Sequence, residues 1–143
     1  MIWKTKPTPE QLNEHTPENM STHLGIEFME VGDDYLMARM PVDKRTTQPF
    51  GILHGGASVT LAETLGSVAG VLCVDRSTHR VVGLEINANH IRSATKGFVY
   101  GTCTPVHLGK KTHIWSIHIK NEEGKLVCIS RITLAVLSNS LGE

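Results

Sequence analysis

The groups of this chain best suited to chemistry are concentrated between Gln48 and Ser67. Gln48-Pro-Phe-Gly-Ile-Leu-His54 leads into Gly55-Gly56, and in the apolar run that follows Glu63 is the sole charged residue before Asp75. An ionised carboxylate is costly to bury without partners, so Glu63 is expected to be paired, neutral or at work. Two consecutive glycines at a helix start leave backbone N–H groups open to another molecule, at the positive end of the helix dipole. An electrophilic carbonyl held between those donors and a carboxylate is the chemistry this spacing suggests. The plainer reading is a structural carboxylate bonded to a hydroxyl or a helix end, with His54 and Gln48 making ordinary loop hydrogen bonds.

The elements that must position these groups fit one domain over residues 1–143, a length that supports a single core. Thr8-Pro9-Glu10-Gln11 combines an N-cap, a proline at the first helical position and a glutamine at N3, predicting a short helix over residues 9–15. Thr16-Pro17-Glu18 predicts a second cap, and Gly25 ends that turn after Leu24. A hairpin follows over residues 26–31 and 35–42, turning at Gly32-Asp33-Asp34, with Leu36, Ala38 and Met40 on one face. A polar loop then leads into a central helix over residues 55–73. Leu61, Leu65, Val68 and Leu72 recur at spacings that should pack on a sheet. Gly56, Val59, Glu63, Ser67 and Gly70 make a smaller, more polar face that admits a ligand or another chain.

Four more strands are predicted over residues 81–90, 98–106, 113–120 and 126–137. In the first, Val82, Leu84, Ile86 and Ala88 alternate with Gly83, Glu85, Asn87 and Asn89, so the former are expected to be buried. The last is apolar on both sides and is expected at a central, doubly covered position; residues 138–143 read as a loose tail. The sum is an α+β fold, an antiparallel sheet wrapped around one long helix.

Several function classes fall away. Lysine and arginine number 14 against 14 acidic residues, which gives no overall field for nucleic acid or an anionic membrane. The stretch over residues 55–74 approaches the length of a membrane span, yet its glutamate, hydroxyls and glycines suit a buried helix better. Cys73, Cys103 and Cys128 are widely spaced, without a C-x-x-C, and read as free thiols in a reducing compartment. The opening Met1-Ile-Trp-Lys-Thr-Lys-Pro7 is too short and polar for a signal peptide, so a cytoplasmic location is expected. No metal is expected either: His113 and His118 are five apart on a strand and point to opposite faces, and no H-x-x-x-H or Cys/His cluster occurs. A Ser-His-Asp hydrolase would need a G-x-S-x-G elbow, which is absent.

His54-Gly-Gly-Ala-Ser, with Gln48-Pro-Phe-Gly before it and Glu63 nine residues after the histidine, resembles the hotdog-fold acyl-CoA thioesterases, in the 4-hydroxybenzoyl-CoA thioesterase branch with a glutamate on the central helix. Met1-Ile-Trp-Lys4, Met40-Pro-Val-Asp43, Val82-Gly-Leu-Glu-Ile-Asn-Ala-Asn-His90 and Arg92-Ser-Ala94 extend the likeness over nearly the whole chain. The resemblance implies a hotdog fold and a homodimer with active sites at its interface, Glu63 of one chain facing Gln48, His54 and Gly55 of the other. Such dimers commonly pair into homotetramers. It further implies hydrolysis of an aromatic acyl-CoA, with a dihydroxynaphthoyl thioester as the first expectation and an aryl group on an acyl carrier protein as the second. A non-catalytic acyl-CoA binder and a dehydratase on the same fold are the remaining alternatives.

Under that resemblance the Gly55 amide donates to the thioester oxygen, Glu63 acts as nucleophile or general base, and His54 and Gln48 position substrate or water. Ser67 lies near the acyl ring or the water. Contacts to CoA are implied at His90, Arg92 and Ser93, with Gly83 on the strand before them, and at His107 and Gly109. CoA enters as part of the substrate, and no separate cofactor is expected.

Overall fold

The computed structural model describes residues 1–14 and 17–140. Its elements in chain order are α1 (Pro9–Glu14), α2 (Met20–His23), β1 (Glu27–Val31), β2 (Leu36–Pro41), α3 (Gly55–Leu72), β3 (His79–His90), β4 (Phe98–Leu108), β5 (Thr112–Asn121) and β6 (Leu126–Ser138). The strands form one antiparallel sheet in the order β1-β2-β4-β5-β6-β3. The sheet curls over α3, which packs against β2 through β6. This is the α+β architecture expected from the sequence.

Leu61, Ala62, Leu65 and Ala69 of α3 are fully buried against Leu36, Met40, Val99, Trp115, Ile117, Ile132 and Leu134 of the sheet. The sheet-facing side of the helix is built with smaller residues than its leucine spacing predicts. A Cβ at Gly66 would overlap Ile132 Cγ2, and one at Gly70 would stand 2.5 Å from Leu134 Cδ1. Gly70, expected beside Glu63 on the open face, is buried because α3 approaches β6 so closely there. Val68 and Leu72, expected in the core, are only partly buried at its margin. The chain's start straps this layer. Trp3 stacks on Trp115 with centroids 6.1 Å apart and donates from Nε1 to Gly32 O at 2.6 Å, while Lys4 N–H donates to Leu72 O at 2.8 Å.

Four expectations need correction. The second short helix is capped by Asn19, whose side chain accepts from the N–H groups of Ser21 and Thr22; Thr16, where the cap was expected, and His15 lie outside the described residues. Asparagine is as good an N-cap as threonine, and here Thr22 Oγ1 reciprocates by accepting from Asn19 N–H at 2.9 Å. Gly25, with φ of 73°, ends that turn as expected. In β3 the pairing with β6 shifts between Gly83 and Glu85, so the extra residue Leu84 reverses the alternation. Val82 and Leu84 are therefore 41% and 64% exposed, whereas Ile86 and Ala88 turn partly inward.

The outer face of β6 is covered by this chain only at its start: Val127 is buried, whereas Ile129 and Ala135 are half-buried and Leu137 is exposed. Ser138 belongs to β6, and Asn139 is tied by its N–H to Thr78 O and by its side chain to Arg76 O, so the tail is anchored at its start; residues 141–143 lie outside the described residues.

The two sheet edges differ. On β1, the Asn13 side chain donates to Phe28 O and accepts from Phe28 N–H, which covers that edge. The outer side of the 12-residue strand β3 pairs with no strand among the described residues.

His113 is 4% exposed and its Nδ1 has no hydrogen-bond partner among the described residues. Burial, with a smaller contribution from His107, holds its pKa below the ordinary 6.5. The unfolded chain therefore takes up this proton more readily than the folded one. The associated stability is present above pH 6.5 and is lost as pH falls through the window below it. Urea unfolding across this range is expected to show a declining free energy that flattens in His113→Phe; an unchanged slope in that variant contradicts the assignment.

Candidate functional site

The start of α3 is set by His54. Its backbone is extended, its Nδ1 accepts from Gly56 N–H at 2.8 Å, and its carbonyl accepts from the amides of Ala57 and Ser58 at 2.9 and 3.3 Å. Acceptance at Nδ1 places the proton of a neutral ring on Nε2. The approach to the helix is fixed by His54 N–H donating to Thr46 O and Leu53 N–H donating to Ala94 O, at 2.8 and 2.7 Å. Of the first four amides of α3, only that of Gly55 has no acceptor among the described residues. A free donor thus sits at the positive end of an 18-residue helix. A Cβ at Gly55 would lie 2.9 Å from His90 Nε2 and 3.0 Å from Cε1, so the imidazole lies against the glycine and hydrogen alone fits between.

Beside this amide is a cavity of ≈300 Å³ lined by Gln48, Gly55, Ser58, His90, Arg92 and Ser93, with Ile52, Leu53, Ile91 and Val127 as its apolar wall. The structure therefore gathers five of the expected groups, Gln48 from the loop, Gly55 from the helix start and His90, Arg92 and Ser93 from the end of β3 and just beyond it, around one opening. Gln48 Oε1 accepts from Phe50 N–H, which leaves the amide nitrogen of Gln48 to donate to a ligand. One guanidinium nitrogen of Arg92 donates to Leu126 O at 3.0 Å, fixing the group while its other N–H donors remain. Ser58 is the member that sequence reasoning missed. It is buried and lies one turn after Gly55, so the i, i+3 spacing from the glycine was the available signal.

Other expected residues lie elsewhere. The His54 ring is on the opposite flank of the helix start, in a cavity of ≈310 Å³ with Met20, Arg45 and Thr60. Glu63 is half-buried, not buried, and makes no hydrogen bond or ion pair among the described residues. It lies over Gly83, where a Cβ would stand 2.9 Å from Glu63 Oε1; the strand glycine thus admits the carboxylate and does not adjoin the His90 cavity. Ser67 follows one turn later, on the same half-exposed face as Val59, Thr60, Glu63 and Val71.

Gly109 and the adjoining His107 ring lie at the far end of α3, where Gly109 lines a separate cavity of ≈590 Å³ with Cys73, His79 and Lys110. That is roughly 25 Å along the helix from Gly55, too far to share a cavity with His90 in one chain.

The cysteines are unsuited to nucleophilic work. Burial pushes the Cys73 thiol up to about 11 and raises those of Cys103 and Cys128 as well. All three are free, Cys73 half-buried and the others buried. Among the described residues no group of three or more His, Cys, Asp or Glu side chains is placed to hold a metal ion. Among the described residues no helix is long and apolar enough to cross a membrane.

Comparison with known proteins places this geometry in a family. Residues 50–128 match the thioesterase superfamily. The chain is similar to the 1,4-dihydroxy-2-naphthoyl-CoA hydrolase of Escherichia coli strain K12, at 58% identity over 96% of this chain and 100% of the relative. It is also similar to the proofreading thioesterase EntH of Cronobacter turicensis, at 52% identity over 96% and 99% of the two chains. A crystal structure of a glutamine-to-alanine mutant of a thioesterase from Pseudomonas aeruginosa superposes with a TM-score of 0.95 at 48% identity, covering 96% of this chain and 99% of that one.

Proposed function

Because this chain belongs to the thioesterase superfamily, we propose that it hydrolyses the thioester of an aromatic acyl-CoA to the free acid and CoA, in sites shared by two copies of the chain. One observation carries the reading. The unpartnered Gly55 amide and the unpartnered Glu63 carboxylate lie on the same helix eight residues apart, roughly 12 Å along its axis. Groups that bracket one carbonyl must each come within about 3 Å of the reacting atoms. Within one chain the Glu63 carboxylate rests over Gly83, outside the cavity beside the Gly55 amide, so the two do not converge there; two chains can bring them together.

In a two-fold pair, if Glu63 of each copy meets Gly55 of the other, the two α3 helices must run antiparallel. The open edge of β3, with Val82 and Leu84 exposed on it, supports such a pairing. The small residues of the Glu63 face allow the helices to approach. Pairing of two dimers into a tetramer is compatible with the uncovered apolar positions on the outer face of β6.

The chemistry follows from this arrangement. The Gly55 N–H donates to the thioester oxygen and stabilises the charge that develops there as the carbonyl becomes tetrahedral. On the opposite side, Glu63 either attacks the carbonyl carbon to give an acyl anhydride, which water then opens, or takes a proton from the water that attacks. Both routes break the carbon–sulfur bond and release CoA as its thiol. His90, packed on Gly55, lies beside the thioester itself, while Arg92, with N–H donors left over from its bond to Leu126 O, suits a phosphate of CoA. Gln48 donates from its free amide nitrogen to the acyl oxygen or to the substrate.

The similarity to the naphthoyl-CoA hydrolase makes dihydroxynaphthoyl-CoA, an intermediate of menaquinone synthesis, the first substrate of this reading; the similarity to EntH favours misacylated aryl carrier protein as the second. Thiol trapping of released CoA or carrier thiol, with kcat/KM compared across naphthoyl-CoA, benzoyl-CoA and an acylated aryl carrier protein, decides between them. Tight binding of all three with no thiol released would contradict hydrolysis itself.

A further inference from the structure

We infer that Phe50 of one copy closes the acyl end of the other copy's site and sets a preference for flat aromatic acyl groups. The inference rests on the shared-site reading above. Phe50 is 89% exposed, yet its loop is tied by internal hydrogen bonds. Thr47 bridges Leu53, Gln48 N–H donates to Ile52 O at 2.9 Å, Gly51 N–H donates to Gln48 O at 2.9 Å, and Phe50 N–H donates to Gln48 Oε1. An aromatic ring is thus presented to the surroundings by a turn built on a residue of the Gly55 cavity. A lone exposed phenylalanine is ordinary on a protein surface; one held in this way beside a ligand opening is well placed to cover a ligand.

The helix arithmetic says where the ring goes. With the helices antiparallel and Gly55 opposite Glu63 of the other copy, residues before Gly55 fall opposite residues after Glu63. Ser67 is then about 6 Å and Val71 about 12 Å beyond the carboxylate. Phe50 precedes Gly55 by five residues; fully extended these would reach about 17 Å, the turn at Gln48 to Gly51 shortens that, and the length of the ring adds to it, so Phe50 can lie over the stretch that begins at Ser67. Val71 borders the largest of the cavities described, ≈740 Å³ between the N-terminal strap and the last turn of α3, with Pro7, Leu12, Leu72 and Val74 as its apolar lining. An acyl group whose carbonyl is held at Glu63 and whose ring lies along Ser67 points into this cavity, and the other copy's Phe50 covers it. The loop that contributes Gln48 to the thioester end therefore contributes an aromatic face to the acyl end.

Two measurements test this. The first is kcat/KM of the wild type, Phe50→Ala and Phe50→Trp on benzoyl-CoA, naphthoyl-CoA and hexanoyl-CoA. Phe50→Ala is expected to lower turnover of the aryl thioesters by about tenfold relative to the alkyl thioester, and Phe50→Trp to restore the aryl preference. The second is oxidation of a Phe50→Cys, Val71→Cys double variant, expected to give a covalent dimer on non-reducing gels that neither single variant forms to the same extent. Equal losses on aryl and alkyl substrates, or no cross-link beyond the single variants, would overturn the inference while leaving hydrolysis intact. A wild-type protein inert on all three thioesters would remove the function on which it rests.

Discussion

Glu63→Gln is expected to lower kcat on an aryl-CoA by about a thousandfold while leaving folding and self-association unchanged. The amide is nearly isosteric with the carboxylate but can neither attack a carbonyl nor accept a proton from water. The structure makes the result interpretable. Glu63 is half-buried, makes no hydrogen bond or ion pair among the described residues, and rests over a glycine, so the substitution removes no intrachain bond. Its effect on the unfolding free energy should stay within about 0.5 kcal/mol, as for a surface change away from structural features. Steady-state kinetics and urea unfolding on the same preparation check both halves. Retained turnover in Glu63→Gln and Glu63→Ala would remove the catalytic assignment.

The second large effect is expected at the other end of the proposed site. Gly55→Val reduces kcat/KM by about a hundredfold, because its side chain occupies the space through which a thioester oxygen must approach the one free amide of the helix start. A Cβ there already meets the His90 ring at 2.9 Å, so the imidazole must also move from the cavity wall. Loss through both routes should appear in kcat as well as in KM. A change confined to KM would mean that the amide contributes binding and no transition-state stabilisation.

What could be read from the sequence, and what could not, separates along physical lines. Gly55, Gly56 and Glu63 stood out because they contradict the apolar pattern around them, and the hydrophobic period located α3 to within one residue at its end. The strands emerged from alternation wherever the pairing is regular. The bulge at Leu84 was invisible because it is a property of two strands in register: Val82 and Leu84 look inward in β3 alone and are turned outward by the count of residues opposite them on β6. Gly70 was misplaced for a related reason, since spacing gives its direction on the helix but not how near β6 lies.

His54 carries a local hydrogen bond, the cap on Gly56, that a composition-based cap rule favouring serine, threonine, asparagine and aspartate does not anticipate. The separation of Glu63 from Gly55 was countable from the start. Where the carboxylate comes to rest, over Gly83 and away from the Gly55 cavity, was not countable, and it is that position that favours a second chain.

Complementation between two inactive variants tests the shared site most directly. Glu63→Gln and Gly55→Val homodimers are mixed in equal amounts, dissociated, allowed to exchange subunits, and assayed for release of CoA thiol. In a mixed dimer one site carries both lesions, and the other joins an intact Glu63 from one copy to an intact Gly55 from the other. Random exchange makes half of the dimers mixed, with one working site of two, so activity should recover to about a quarter of the wild-type value. Should the exchanged mixture remain as inactive as its parents, the amide and the carboxylate do not act across the two copies, and the account is wrong.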